Sequence, residues 1–246
     1  MSSDQLSKTT QRLSRGLLLL LAIVAGFMVS NIYYGQPLLE RIGFDLSIPA
    51  ASIGWVVASS QAGYLVGLVL LVPLGDLVDR RILITVQVAA SAVGACGVTL
   101  ASSQAALLLA FGILGLASSV VQAIVAYTAA SSTPDKRGGD IGTVTAGVVS
   151  GLILARTVAG GMTDLWGWRS VYIFAAVAAV VLSVAVLRAM PREQTSRGEA
   201  RYWQAVSSVV LLTRRNPVFR TRALITMLLF ASFGVLWSGM SLLLSG

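Results

Sequence analysis

The chain is 246 residues long, 56% hydrophobic and only 11% charged, with a mean hydropathy of +0.82 and a net charge of +8. A soluble domain carries roughly a quarter of its residues as Asp, Glu, Lys or Arg, so this balance excludes a soluble globular fold, a disordered chain, a collagen-like repeat and a disulfide scaffold. One cysteine, Cys96, has no internal partner, and the lack of any histidine removes His-dependent triads, HExxH zinc sites and histidine proton relays.

In chain order, a polar tail (residues 1–15) precedes seven apolar stretches: 16–38, 52–75, 82–101, 105–130, 141–163, 170–189 and 222–244. Each is long enough for a helix across a hydrocarbon core, which takes about 20 residues. A strand-built barrel would show short alternating segments instead, so the expected fold is all-α, a polytopic membrane helix bundle. The first run is not read as a signal peptide, because it continues through Asn31, Tyr33, Tyr34 and Gln36 without a cleavage site. Residues 190–220 form the one long connection, rich in Arg and opening on Pro191. Within it, Tyr202, Trp203, Val206, Val209, Val210 and Leu212 fit a short amphipathic helix on a membrane surface, where its cations would favour anionic head groups.

The basic residues set the orientation. With the N-terminus in the cytoplasm, the inner segments hold Lys8, Arg12, Arg15, Arg80, Arg81, Lys136, Arg137, Arg188, Arg192, Arg197, Arg201, Arg214, Arg215, Arg220 and Arg222; the outer ones hold only Arg41 and Arg169. That asymmetry places the N-terminus in the cytoplasm of, by expectation, a bacterial inner membrane. It also makes the basic charge a topology signal, so no nucleic-acid partner is expected. Spans one to three and four to six occupy 86 and 85 residues and enter from opposite sides, the pattern of a 3+3 inverted repeat.

Polar residues inside the spans are the candidates for chemistry. Arg156 falls within the fifth span, on one helical stripe with Thr145, Val149, Leu152 and Gly160. A charge at the centre of a span costs about 2.5–3.5 kcal/mol and usually faces a cavity or a partner. Asn31 with Tyr34, Ser60 with Tyr64, and Ser118 with Gln122 share helix faces by their spacing. Gly63 and Gly67 are spaced for close helix packing. No Asp or Glu lies in the core of a span, so either proton coupling uses Asp79 or Glu40 at the mouths, or the carboxylate is supplied by other helices, or protons are not coupled. The turn Gly75-Asp76-Leu77-Val78-Asp79-Arg80-Arg81 carries two aspartates that orientation alone does not require; Gly75 there would allow close approach or a positive φ.

This turn resembles the signature of the major facilitator superfamily, G-x-L-x-D-R-x-G-R-[RK]. Gly75, Leu77, Asp79 and Arg80 match; after Arg81, Ile82-Leu83-Ile84 replace the later Gly and basic pair. Residues 31–39 are similar to a first-helix segment of bacterial efflux-type permeases in that superfamily, and Gly167-Trp168-Arg169 to their outer-loop entry G-W-R. Gly147, Gly151, Gly160 and Gly161 resemble the antiporter motif G-x-x-x-G-P-x-x-G-G, without its proline and with the last pair displaced. The usual buried arginine of the fourth helix would fall at Phe111.

The resemblance implies a six-helix bundle plus a seventh helix: tail 1–15, bundle 16–189, inter-bundle loop 190–220 and the first helix of a second bundle, 221–246. It implies a secondary transporter working by alternating access, with Asn31, Tyr34, Gln122 and Arg156 lining a substrate cavity. Gly75, Asp76, Asp79, Arg80 and Arg81 would form a conformational-switch loop that stabilises the outward-open state, with Gly63, Gly67, Gly147, Gly151 and Gly160 as packing positions. The expected partners are the bilayer, a small-molecule substrate and either a missing C-terminal half or a second copy; no cofactor or metal is expected. The chain reads as a truncated or separately encoded piece, with little or no transport alone. A seven-helix receptor conflicts with the charge count, an intramembrane enzyme lacks G-x-S-x-G and intramembrane G-x-G-D motifs, and a half-size assembly subunit is the alternative function.

Overall fold

The computed structural model describes residues 13–192, 202 and 216–244, with the backbone alone for residues 76, 230, 233, 234 and 236–244. The chain divides into two units, residues 1–195 and 196–246. The described residues are helical, without strands. In the first unit, six apolar helical segments are long enough to cross a membrane: Arg15–Asp45, Ala50–Gly75, Arg80–Leu100, Gln104–Ser131, Arg137–Trp166 and Trp168–Ala189.

Local sequence explains where these segments start and bend. Helix α1 (Arg15–Tyr33) begins where the Ser14 hydroxyl accepts a hydrogen bond from the Leu17 amide at 3.2 Å, satisfying one of the four unpaired first-turn donors. The first predicted span ends at 38, but the chain stays helical through a 3-10 turn at Gln36–Leu38 into α2 (Leu39–Asp45). Pro37 permits this because it occupies the start of the turn, where an N–H is not needed. Helix α3 (Ala50–Leu70) follows Pro49 and gives way to a 3-10 turn at Pro73–Asp76. Asp79 caps α4 (Arg80–Leu100), its carboxylate accepting from the Arg81 amide at 2.9 Å.

The fourth predicted span, 105–130, is two helices, α5 (Gln104–Ser118) and α6 (Val120–Ser131), broken at Ser119. The Ser118 and Ser119 hydroxyls donate back to the Leu114 and Leu116 carbonyls, a competition with the helix ladder that bends helices. Helix α7 (Arg137–Trp166) exceeds its predicted span at both ends, and α8 (Trp168–Ala189) follows after Gly167. That glycine has φ of +80°, a conformation that side chains disfavour. In the second unit, α9 (Pro217–Leu244) starts before the predicted 222. The predicted amphipathic segment 201–213 lies almost wholly outside the described residues.

The packing obeys an inverted repeat. Helix α1 lies along α7, and α3 lies along α5. An operation that carries α1 onto α5 and α3 onto α7 turns one pairing into the other. Helix α4 lies along α8, each the counterpart of the other. Two apolar clusters fill the bundle. One, around Phe111, Tyr172 and Trp168, sits toward the turn at 166–168; the other, around Leu21, Met28 and Ile124, sits toward the opposite end. These are the Trp168 end and the Arg-rich end, the latter carrying Arg15, Arg80, Arg81, Lys136, Arg137 and Arg188.

Candidate functional site

In a bilayer, helices have no hydrophobic drive toward one another, so small residues that let backbones touch carry much of the packing. Gly147 and Gly151 of α7 meet α1 in this way. A Cβ on Gly147 would lie 2.2 Å from the Ala22 carbonyl oxygen, and one on Gly151 would lie 2.1 Å from that of Gly26. The Ser30 hydroxyl crosses the same seam to the Gly151 carbonyl at 2.8 Å. The counterpart seam joins α3 to α5. Gly63 faces the Gly112 carbonyl oxygen at 2.0 Å from a built Cβ, Gly67 faces Leu116 and Ser119, and Gly115 faces the Ser60 carbonyl oxygen at 1.8 Å. Gly160 differs from the expectation: a Cβ there meets nothing within 4 Å, so it is no packing position among the described residues.

Two of the four predicted cavity residues do not reach an open surface. Asn31 and Tyr34 are buried, 1% and 4% exposed. The reason is tertiary. Their face of α1 turns into the bundle, and Tyr34 joins the cluster of Phe111 and Tyr172. The Asn31 amide nitrogen reaches Met28 Sδ at 4.0 Å, while its Oδ1 is buried with no hydrogen-bond partner among the described residues. Phe111, the position at which the resemblance implies a buried arginine, packs edge-on against Tyr172 with ring centroids 5.7 Å apart.

The other two stay open. Gln122 on α6 is exposed and donates through Nε2 to the Tyr64 hydroxyl on α3 at 3.3 Å. Arg156 is half-buried on α7, one residue round from the buried line of Gly151, Ala155, Ala159 and Thr163. It sits about 7 Å from the helix midpoint toward the Trp168 end, by a rise of 1.5 Å per residue, rather than at mid-span. Helices α1 and α7 run side by side with Ser30 opposite Gly151 and Arg41 opposite Asp164. That register brackets Arg156 between the levels of Tyr33 and Gly35. Of these side chains Gln122 is exposed and Tyr33, Tyr64 and Arg156 are half-buried, and Gln122 and Tyr64 are in contact. Tyr64 had a face-sharing signal in the sequence, but its partner Gln122 comes from another span.

The turn after α3 is organised around backbone. Arg80 Nε donates to the Gly75 carbonyl at 3.0 Å, and the Arg81 guanidinium donates to the Leu187 carbonyl at the end of α8. Gly75 does not have a positive φ, and a Cβ there would meet only Leu83 at 3.7 Å; the 3-10 turn at Pro73 leaves it room, contrary to the expected close approach. The side chain of Asp76 lies outside the described residues. At the opposite end Arg169 pairs with Asp45, stacks 4.3 Å over the Trp168 ring and donates to the Thr99 carbonyl at 3.2 Å. Two hollows, of about 340 and 200 Å³, open at the Arg-rich end beside Leu13, one reaching Tyr127 and Arg188, the other Asp135 and Lys136. Neither includes Asn31, Tyr34, Gln122 or Arg156.

An inverted three-helix repeat in a polytopic helix bundle is an arrangement found in many secondary transporters. The sequence profile described as Major Facilitator Superfamily matches residues 18–245. YgaY of Escherichia coli O157:H7, an uncharacterized transporter, is 39% identical over 240 residues, 98% of this chain and 61% of its own length. The multidrug resistance protein Stp of Mycobacterium tuberculosis is 33% identical over 136 residues, 54% of this chain and 25% of its own length. Among solved structures, the human organic anion transporter MFSD10 superposes with a TM-score of 0.54 at 15% identity, over 71% of this chain and 46% of its own; at that identity the likeness concerns the fold alone. The chain belongs to the major facilitator superfamily, a family of membrane transporters, and is a multi-pass membrane protein. It spans about three-fifths of the length of YgaY.

Proposed function

We propose that the chain forms one wall of the solute passage of a bacterial efflux-type antiporter in the inner membrane, with its N-terminus and Arg-rich end in the cytoplasm. The observation that carries this reading is the Gln122–Tyr64 contact, which with the half-exposed Tyr33 and Arg156 would make a polar strip on the bundle. Arg156 lies within a span, where a cation usually faces a cavity or a partner, and aromatic hydroxyls with an amide offer donors and stacking faces together. The strip suits a small organic molecule with an aromatic body and an anionic group, held by Arg156. Similarity to Stp supports the efflux direction, and the cation asymmetry supports the orientation. The facing wall would come from further helices or from a second copy, and the exchanged ion would be bound outside the cores of these six spans.

Labelling tests the reading directly. In a Cys96→Ser background, single cysteines at 122 and at 93 are exposed to a membrane-impermeant maleimide. Position 93 is 65% exposed on α4, a helix that contributes no residue to the strip. Residue 122 is expected to react and residue 93 to stay silent. Carboxyfluorescein, an aromatic anion, is expected to slow labelling at 122 at least fivefold, and Arg156→Gln to abolish that protection. Equal reactivity at the two positions would place the strip in lipid and defeat the proposal.

A further inference from the structure

The turns that open α4 and α8 carry one device at opposite ends of the bundle. Arg81 donates to the carbonyl of Leu187 in the last turn of α8, and Arg169 donates to the carbonyl of Thr99 in the last turn of α4. The last four carbonyls of a helix have no donor of their own, and a cation there complements the helix dipole. Arg169 follows Arg81 by 88 residues, and Leu187 follows Thr99 by the same 88. The capping residues Asp79 and Gly167, and the seam glycines Gly63 and Gly151, share that interval. One two-fold operation therefore maps each arginine contact onto the other.

Their surroundings are unequal. Arg169 also pairs with the Asp45 carboxylate, stacks on Trp168, and sees the Trp168 Nε1–H donate to the same Asp45 at 3.1 Å. Asp45 belongs to α2, so a third element braces that end. At the other end the Asp79 carboxylate accepts from the Arg81 amide rather than from its guanidinium. The Arg81 Nε is buried without a hydrogen-bond partner among the described residues.

We propose that Arg81 and Arg169 are positioning residues, a reciprocal pair of latches holding α4 against α8, of which the Arg81 latch releases while the Arg169 latch stays shut. Releasing Arg81 breaks one charge-assisted bond and hydrates a nitrogen that has no partner among the described residues; releasing Arg169 breaks an ion pair, a ring stack and a carbonyl bond together. The α4–α8 pair thus splays at the Arg-rich end about a fixed Trp168 end. This inference is independent of which solute the protein moves, and of whether this chain moves one.

The test uses the full 246-residue chain, Cys96→Ser, in lipid nanodiscs. Spin labels at 82 and 184 report the Arg-rich end, and labels at 100 and 173 report the Trp168 end; all four side chains are exposed. The first pair is expected to show two distances and the second a single narrow one. Arg81→Gln should raise the longer 82–184 population at least threefold and leave 100–173 unchanged, Arg81→Lys should restore most of the shorter one, and Arg169→Gln should broaden 100–173. Narrow, unresponsive distributions at both ends, or opening of the Arg-rich end by Arg169→Gln, would overturn the proposal. Hydrogen exchange on the unsubstituted arginines needs no variant to fold: amides 184–189 should exchange at least tenfold faster than 95–100, and equal protection would overturn the proposal as well.

Discussion

Gly147 and Gly151 in the first half of α7, and Gly160 and Gly161 in its second half, are the same residue in the same helix with different surroundings. The first two touch the backbone of α1, with no room for a methyl group, whereas the second two have nothing within 4 Å of a built Cβ. The repeat supplies a matched control in α3, where Gly63 and Gly67 press on α5. The role of a glycine in this bundle follows from whether a partner backbone lies over it. Where one does, the obstacle is a carbonyl group held in a helix ladder, which cannot turn aside as a flexible side chain could.

The sharpest break in that comparison is a branched residue on a seam. Gly151→Val would place its Cβ 2.1 Å from the Gly26 carbonyl oxygen, and Gly115→Val would place its own 1.8 Å from that of Ser60. Both helices must separate, losing the seam's contacts and, for Gly151, the bond from Ser30. Overpacking a tight interior costs about 1–3 kcal/mol, and rigid backbone neighbours put these sites at the upper end. Thermal unfolding in detergent should show a lowered midpoint or no folded protein for both variants, with similar losses because the seams are counterparts. Wild-type midpoints would break the assignment of these glycines as contact points.

Gly160→Ala sharpens the comparison from the other side. Nothing opposes the added methyl, and a glycine inside a helix is disfavoured against alanine by about 0.5–1 kcal/mol. The same assay should find the midpoint unchanged or raised by a few degrees. A drop as large as that of a seam variant would show that the second half of α7 has a cover that these helices do not provide.

Much of the architecture could be read from the sequence because a bilayer demands apolar runs of a set length, and seven such runs stand out. The breaks inside them could not. The first predicted span stops at 38, yet the 3-10 turn that Pro37 opens lets the helix continue, and the break at Ser119 depends on hydroxyls choosing carbonyls three and four residues back. Spacing by four exposed Gly63, Gly67, Gly147 and Gly151. It gave no reason to pick Gly26, Gly112 or Gly115, which matter because of the backbone opposite them. The face-sharing rule linked Asn31 with Tyr34, but it could not say that Phe111 and Tyr172, from two other spans, would help cover that face. The interval of 88 residues between Arg81 and Arg169 was present in the sequence; its meaning required the carbonyls of Thr99 and Leu187.

The smallest effect is expected at the far end of the same α1–α7 line, where Arg41 of α2 pairs with Asp164 of α7 at 2.8 Å. Both side chains are more than half exposed, so water screens the pair and each partner loses side-chain freedom in making it. Exposed ion pairs are worth about 0.2–1 kcal/mol. A double-mutant cycle with Arg41→Ala and Asp164→Ala, read by thermal unfolding, should give a coupling in that range, shrinking further in high salt. The seam glycines bring no charge to the same helix pairing, yet their replacement should cost more than removal of this salt bridge. A coupling as large as the loss from Gly151→Val would reverse that ranking, and would mean that electrostatics at the Trp168 end, rather than backbone contact, holds α7 to the first span.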